Sequence, residues 1–235
     1  MKLIKSLHQK KYRNEHGLFV IEGRKGLEEL FSSSIKPYKV YTTGAVELNV
    51  KYDDIQLVSA RELKQMSALK NPNGAIGAFH IPTPKSIDFE DWILLLDEIQ
   101  DPGNLGTIIR LCDWFGITNL VCSKNTVDCY NPKVLQATMG SIARVNVLYT
   151  NIVTFLNSCP LPVYGSFMDG VSVHETELPK KGILVMGNEG NGISLNVKKL
   201  CNHHIAVPQY GKGTTESLNV GTASAILLNE VRRQG

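Results

Sequence analysis

A carboxylate set inside a glycine turn is where residue types in this chain first suggest chemistry rather than packing. Gly187-Asn188-Glu189-Gly190-Asn191-Gly192 follows directly on the apolar run Ile183-Leu184-Val185-Met186. Glycines allow positive φ and close backbone approach to a ligand, and a buried strand ahead of them holds such a turn in place. Glu189, between Asn188 and Gly190, has no apolar face to cover, so its use is polar recognition. Two more polar turns stand behind apolar or extended segments: Asp97-Glu98-Ile99-Gln100-Asp101-Pro102-Gly103-Asn104-Leu105-Gly106, with Arg110 just beyond, and Thr215-Glu216-Ser217-Leu218-Asn219-Val220-Gly221.

The glycine turn is not a nucleotide fingerprint. A dinucleotide site reads G-x-G-x-x-G with an acidic residue about 20 positions on, whereas the order here is G-x-x-G-x-G and the region around Gly211 to Gly213 offers only Lys212. Gly211-Lys212-Gly213-Thr214-Thr215 imitates the end of a phosphate-binding loop, but Ala206 stands where that loop needs glycine and Gly213 where it needs Ser or Thr. A P-loop-like nucleotide hydrolase is therefore only a weak alternative.

The elements that must position these turns alternate. Leu18–Ile21, Tyr38–Tyr41, Ile55–Val58 and Ala75–Phe79 read as strands, with helical patterns at Gly26–Phe31 and Ala60–Leu69. Ile81-Pro82-Thr83-Pro84-Lys85 then discourages both helix and central strand. The expected organisation is a small α/β domain at 1–82, a linker at 83–90 and a second domain at 91–235. In the second, strands at Trp92–Leu96, Leu120–Cys122, Val145–Tyr149, Val163–Phe167, Ile183–Met186 and His204–Val207 alternate with helices. The helices are expected at Asn104–Phe115, after an Asn131-Pro132 start, and from Asn219 to Arg232. Such alternation predicts a mostly parallel sheet covered by helices, with ligands at the C-terminal ends of its strands.

The chain has 235 residues, 43% of them hydrophobic, enough for a packed core of one large or two small domains. No apolar run approaches the length of a bilayer span, and the polar start, Met1 to Gly17, does not read as a signal peptide; a cytoplasmic protein is expected. Cys112, Cys122, Cys129, Cys159 and Cys201 form an odd set without a C-x-x-C pair, as reduced, mostly buried thiols do. His203 and His204 are adjacent, so on a strand they point to opposite faces; no metal site is indicated. Net charge is +3, yet Lys2, Lys5, Lys10, Lys11, Arg13, Arg24 and Lys25 against Glu15 and Glu22 put +5 into the first 25 residues. That segment is either an electrostatic footprint for a phosphate backbone or a solvated helix with its lysines outward.

In order and spacing, the three polar turns closely resemble the three motifs of the SpoU/TrmH family of the SPOUT superfamily, the S-adenosylmethionine-dependent RNA 2′-O-ribose methyltransferases. The resemblance covers residues 90–235, and Leu18-Phe19-Val20-Ile21-Glu22-Gly23 lies in a first domain similar to the L30e-like substrate-binding domain of many members. It implies a SPOUT-type parallel sheet with a C-terminal trefoil knot, a homodimer, and S-adenosyl-L-methionine as cofactor. It also implies an RNA partner, with rRNA favoured over tRNA. Carried over by position, the site residues are Asn104 and Arg110, Glu189, Ser217 and Asn219; the cofactor contacts are backbone contacts at Gly187, Val207 and Leu218. A guanidinium rarely yields its proton, so Arg110 is expected to clamp a phosphate beside the target ribose rather than act as base. Six residues separate Arg110 from Asn104, which is why Asn104 is expected at the helix cap. Structural readings stand beside these: Asn104 as N-cap only, Arg110 as a surface ion pair, Glu189 as a cap for the following helix, Ser217 and Asn219 as caps of the last one, and Lys212 as a phosphate contact or a merely solvated residue. A non-catalytic RNA-binding paralogue is the alternative at the level of function.

Overall fold

The computed structural model describes residues 1–50, 52, 54–211 and 217–234, and the chain divides into two compact units. Unit 1 comprises Met1–Thr83 and Asp128–Arg144; unit 2 comprises Pro84–Val127 and Val145–Gly235.

Unit 1 begins with α1 (Lys2–Ser6) and α2 (Lys10–His16), continues through β1 (Leu18–Glu22), α3 (Arg24–Phe31), β2 (Pro37–Thr42), β3 (Ile55–Leu57), α4 (Ala60–Met66) and β4 (Ala75–His80), and takes in α5 (Pro132–Thr138) from later in the chain. Its sheet runs β1-β4-β2-β3, antiparallel except for the β2/β3 pair. β1 is apolar at successive positions because both faces are covered. Leu18 and Val20 join Ile4, Leu7, Leu63 and Met66 on one side, while Phe19 lies 4.7 Å from the Tyr130 ring and 6.1 Å from that of Phe79. A Cβ on Gly77 would come within 2.7 Å of Leu27, so glycine lets α3 close on the sheet. Ser59 and Glu62 start α4 with a capping box.

Two expectations change here. The second domain was expected to be unbroken over 91–235, but Asp128–Arg144 folds with unit 1. Asp128 pairs with Arg13 at 2.6 Å, Arg144 pairs with Glu29, and Tyr130 packs on Phe19. In the basic segment, Arg13 is 2% exposed and also donates to the Leu7 and His8 carbonyls at 2.9 Å, so it is a structural cation. Arg24 is taken up by Glu28 at 2.8 Å. The lysines 2, 5, 10, 11 and 25 are exposed, as are Arg24 and Glu15.

Unit 2 holds β5 (Ile93–Leu96), α6 (Pro102–Trp114), β6 (Asn119–Ser123), β7 (Asn146–Thr150), α7 (Ile152–Ser158), β8 (Val163–Ser172), β9 (Ile183–Met186), α8 (Leu195–Lys198), β10 (His203–Ala206) and α9 (Val220–Gln234). The six strands run β10-β8-β9-β5-β6-β7, and every pairing is parallel. All four residues of β5 and of β9 are buried, as expected for a sheet covered on both faces. One side packs Ile93, Leu95, Val121 and Val185 on Ile152, Leu156 and Val197. α9 is locked by Arg232, whose guanidinium takes both Asp91 oxygens at 2.7 Å and donates to the Phe115 and Gly116 carbonyls. β8 is longer than expected and its register with β10 shifts between His204 and Ile205; a Cβ on Gly170 would meet the Ile205 backbone at 2.6 Å. No helix among the described residues is long and apolar enough to cross a membrane.

Candidate active site

The three polar turns lie at the C-terminal ends of β5 and β9 and at the start of α9, all in unit 2. Asp97 and Glu98 leave β5. Asp97 is buried, and its Oδ2 accepts the Ser194 backbone N–H at 2.8 Å, which ties the first turn to the end of the second. Glu98 holds φ at 60°, a backbone conformation that residues other than glycine rarely adopt. It is fixed there by three contacts: its N–H to the Ser123 hydroxyl at 2.9 Å, its carboxylate to Asn125, and its carbonyl to the Asn188 amide at 2.7 Å.

Asp101, not Asn104, caps α6. Its Oδ1 accepts the Asn104 N–H at 2.8 Å, and Pro102 occupies the first helical position, where a missing N–H costs nothing. Asn104 therefore sits in the first turn with its backbone already satisfied and its side chain free for other work, which corrects the expected cap position.

The glycine turn closes on itself. Asn188 and Gly192 exchange two backbone hydrogen bonds of 2.9 Å, and Asn188 Oδ1 accepts the Gly190 and Asn191 N–H groups at 2.9 and 3.0 Å. Gly187 makes this possible: a Cβ there would lie 2.3 Å from both Gly192 C and Ile193 N. Gly192 serves differently, by adopting φ 67° with open space around it. Glu189 is left exposed at the tip. It caps no helix among the described residues; the following one, α8, has Ser194 at its N-cap, and the Ser194 N–H is held by Asp97.

Asn219 begins α9. Its Oδ1 accepts the Gly221 and Thr222 N–H groups at 2.9 and 3.3 Å and its carbonyl accepts the Ala223 N–H, so the capping reading of this residue is correct as far as it goes. Its Nδ2 donates to Asn104 Oδ1 at 2.9 Å, and Asn104 Nδ2 donates to Glu189 Oε1 at 2.9 Å. Three residues from three turns thus form one directional chain, Asn219 to Asn104 to Glu189, which ends on a carboxylate. Gly221 lets α9 approach α6: a Cβ there would lie 3.2 Å from Thr107 Cγ2.

Arg110 is not part of this chain. It is exposed and makes no hydrogen bond or ion pair among the described residues, so the surface ion-pair reading finds no partner there. Six residues along a helix put it about 9 Å farther on and on another side of the axis. Ser217 is exposed and makes no hydrogen bond among the described residues, and Leu218 is an apolar side chain 49% exposed beside Asn219. Gly187 and Val207 are half-buried. Lys212, most of the polar loop before the third motif, and Thr215 and Glu216 lie outside the described residues.

Spacing did not reveal Asn188, Glu98 or Asp97. Asn188 carries a recognisable signal, an Asn followed by glycine two positions on, the setting of an Asx turn; Asp97 and Glu98 carry none. Near the site, burial first and the Asp97 charge second push the Cys201 thiol up to about 11, so it stays protonated. Among the described residues no group of three or more His, Cys, Asp or Glu side chains is arranged to hold a metal.

Residues 91–229 match the SpoU rRNA Methylase family, and residues 1–77 match the MRM3-like substrate binding domain. The Bacillus subtilis 23S rRNA (guanosine(2553)-2′-O)-methyltransferase RlmP is 30% identical over 97% of this chain and 94% of its own length. A TrmH-family protein from Porphyromonas gingivalis has a structure that superposes with a TM-score of 0.92 at 36% identity, covering 100% of this chain and 97% of that one. The S-adenosylmethionine-bound rRNA methyltransferase from Sinorhizobium meliloti superposes at 0.86 with 26% identity, covering 99% and 93%. The family's model spans residues 91–229, more than half of the sequence, and this chain belongs to the SpoU rRNA methylase family.

Proposed function

We propose that this methyltransferase places a methyl group on a ribose 2′-hydroxyl of ribosomal RNA, and that Asn104, Arg110, Glu189, Ser217 and Asn219 form its reacting site. The hydrogen-bonded chain from Asn219 through Asn104 to Glu189 carries this reading, because it joins the three motifs through side chains that no packing requirement explains. Bound S-adenosylmethionine supplies the electrophilic methyl group. The residues expected to hold it suit its chemistry: exposed Leu218 offers apolar cover to a purine ring, and Gly187 and Val207 are themselves only half-buried.

Catalysis here is largely positioning. Arg110 carries a permanent charge with no internal partner, so a phosphate beside the target ribose can take its fork in two parallel hydrogen bonds. That grip orients the 2′-hydroxyl. Glu189 Oε1 is occupied by Asn104, while its second oxygen makes no hydrogen bond among the described residues and faces no competing cation there. It can accept the hydrogen bond of the ribose hydroxyl and take its proton as the C–O bond to the methyl group forms, while the clamped phosphate holds the ribose in place. Ser217 adds a hydroxyl at the same end of α9.

Family membership also supports a C-terminal trefoil knot, a homodimer and an L30e-like character for unit 1, with the polypeptide boundaries near 1–82, 83–90 and 91–235 and the 128–144 excursion added to the first unit. Ribosomal RNA is favoured by the RlmP relative, and a cytoplasmic location agrees with that substrate. The deciding experiment compares ribose-methylation maps of total RNA from cells with and without the protein, then complements with Arg110→Ala. One 2′-O-methyl site in rRNA should vanish in the deletion and stay absent with the variant. A deletion that loses no methyl group argues for the non-catalytic paralogue, and full restoration by the variant refutes the role of Arg110.

A further inference from the structure

Among the described residues, Glu98 and Met139 are the two other than glycine that hold positive φ, and Glu98 is the one in unit 2. A backbone held there persists only where its surroundings over-determine it, and such residues gather at functional sites. The surroundings of Glu98 come from β6 and its following turn. The β5–β6 ladder ends with Leu96 opposite Cys122, so the Glu98 N–H has no place in it. The buried Ser123 hydroxyl accepts that N–H at 2.9 Å, and Asn125 donates to the Glu98 carboxylate at 2.6 Å.

The third contact leads toward the site. The Glu98 carbonyl accepts Asn188 Nδ2 at 2.7 Å, while Oδ1 of the same amide accepts the Gly190 and Asn191 N–H groups at 2.9 and 3.0 Å. The amide is planar, so its two ends cannot turn independently. Glu189 stands between Asn188 and Gly190, the residues that this one amide joins. A change in the backbone dihedrals of residue 98 swings its carbonyl, the Asn188 amide follows, and the peptide units on both sides of Glu189 shift.

We propose that Glu98 is a positioning residue for Glu189: its left-handed backbone, held by Ser123, aims the carbonyl that fixes Asn188 and, through Asn188, the carboxylate beside the ribose. This rests on Glu189 receiving the ribose hydroxyl, as proposed above. The effect belongs to the main chain of residue 98 and not to its carboxylate, which is turned to Asn125. Glycine at this position should therefore serve where a β-branched residue does not.

Methyl transfer is followed on ribosomal RNA purified from cells lacking the protein, with S-adenosylmethionine affinity measured separately by calorimetry. Valine is strained at positive φ, and a misplacement of about 1 Å costs on the order of 100-fold, so Glu98→Val should lower kcat by about 30–100-fold. KM for that RNA and cofactor affinity should stay within about threefold, because the Asn188 and Gly192 bonds that close the turn remain. Glu98→Gly should keep kcat within about threefold of wild type although the carboxylate is gone. Ser123→Ala releases the Glu98 N–H; it should lower kcat by about tenfold alone and add almost nothing to Glu98→Val. A Glu98→Gly protein as slow as Glu98→Val overturns the proposal in favour of the carboxylate. A folded Glu98→Val protein with wild-type kcat overturns it outright, as does an unchanged Ser123→Ala protein where Glu98→Val does not fold. If the wild-type protein does not methylate that RNA at all, the reaction proposed above fails instead, and the link is read by amide hydrogen exchange at Gly190 and Asn191. Exchange about tenfold faster in Glu98→Val than in Glu98→Gly supports the link, and equal rates overturn it.

Discussion

Gly187→Ala should open the Glu189 turn, and the backbone around it sets the cost. The added methyl would lie 2.3 Å from Gly192 C and Ile193 N and 2.6 Å from Gly192 O, where carbon contacts relax only near about 3.5–4.0 Å. Every one of these atoms is backbone, so no rotamer change relieves the clash; the two strands of the turn must separate by about 1 Å. That breaks the pair of 2.9 Å hydrogen bonds between Asn188 and Gly192, worth about 1 kcal/mol each, and adds an overpacking cost of about 1–3 kcal/mol. A destabilisation of about 3–5 kcal/mol follows, read as a drop of roughly 6–20 °C in the thermal midpoint. Because the same opening displaces Glu189, S-adenosylmethionine affinity and methyl transfer should fall together. Gly192→Ala is the control: φ 67° makes it strained, but nothing lies within 4 Å of the new methyl, so it should cost only about 1–2 kcal/mol. Differential scanning fluorimetry and cofactor calorimetry on both variants decide. If Gly187→Ala loses less stability than Gly192→Ala, the close approach inferred for the turn is wrong.

Asn104→Asp keeps the shape of the side chain but sets a carboxylate 2.9 Å from Glu189, replacing a donor with a like charge; kcat should fall by about 10–100-fold with α6 still folded by circular dichroism. Arg110→Lys separates clamp from base. A lost bidentate grip lowers kcat/KM by about tenfold at every pH, whereas a base of lower pKa would make the rate climb with pH. Asp91 is partly buried, which alone would raise its pKa; the hydrogen bonds from Arg232, the Trp92 N–H and the Arg232 charge outweigh this and hold it below the usual carboxylate range. A lowered folded-state pKa means the contribution is complete above the unfolded value, near about 4, and is lost as pH falls through the folded one. Asp91→Asn should therefore destabilise by about 1 kcal/mol at pH 7 and by less at pH 3, measured by urea unfolding at both.

The sheet of unit 2 was legible because burial on both faces writes short, uninterrupted apolar runs such as Leu94-Leu95-Leu96 and Leu184-Val185-Met186. The turns were legible because glycine, proline and asparagine punctuate those runs. Positions whose reason lies far away in the chain were not. Asp128–Arg144 reads as the next strand-to-strand connection of the parallel sheet, but its partners Arg13, Phe19 and Glu29 come about 100 residues earlier. Arg13 likewise looks like one more cation of a basic stretch until its guanidinium is found buried. Glu98 at positive φ has no sequence signal at all, since the contacts that hold it come from Ser123, Asn125 and Asn188. For Asn104 the helix was read correctly and the cap was misplaced by three residues, because Asp101 and Asn104 are both good capping types and only one position completes the turn.

The site divides into a part that is finished and a part that is not. Each member of the Asn219, Asn104 and Glu189 chain is pinned through its own backbone: Asn219 by the start of α9, Asn104 by Asp101, and the Glu189 turn by Asn188. Groups held in this way do not reorganise when substrate arrives, which is the economical arrangement for orienting a weakly acidic hydroxyl. Arg110 is the opposite case, a fixed charge on a rigid helix with no anion of the described chain beside it. Isolated exposed arginines are common, but this one is carried by the same helix that presents Asn104. With Arg110 in the clamping role proposed above, the charge balance of the site closes only when a phosphodiester next to the ribose is present, which would couple orientation of the hydroxyl to its being part of a polynucleotide.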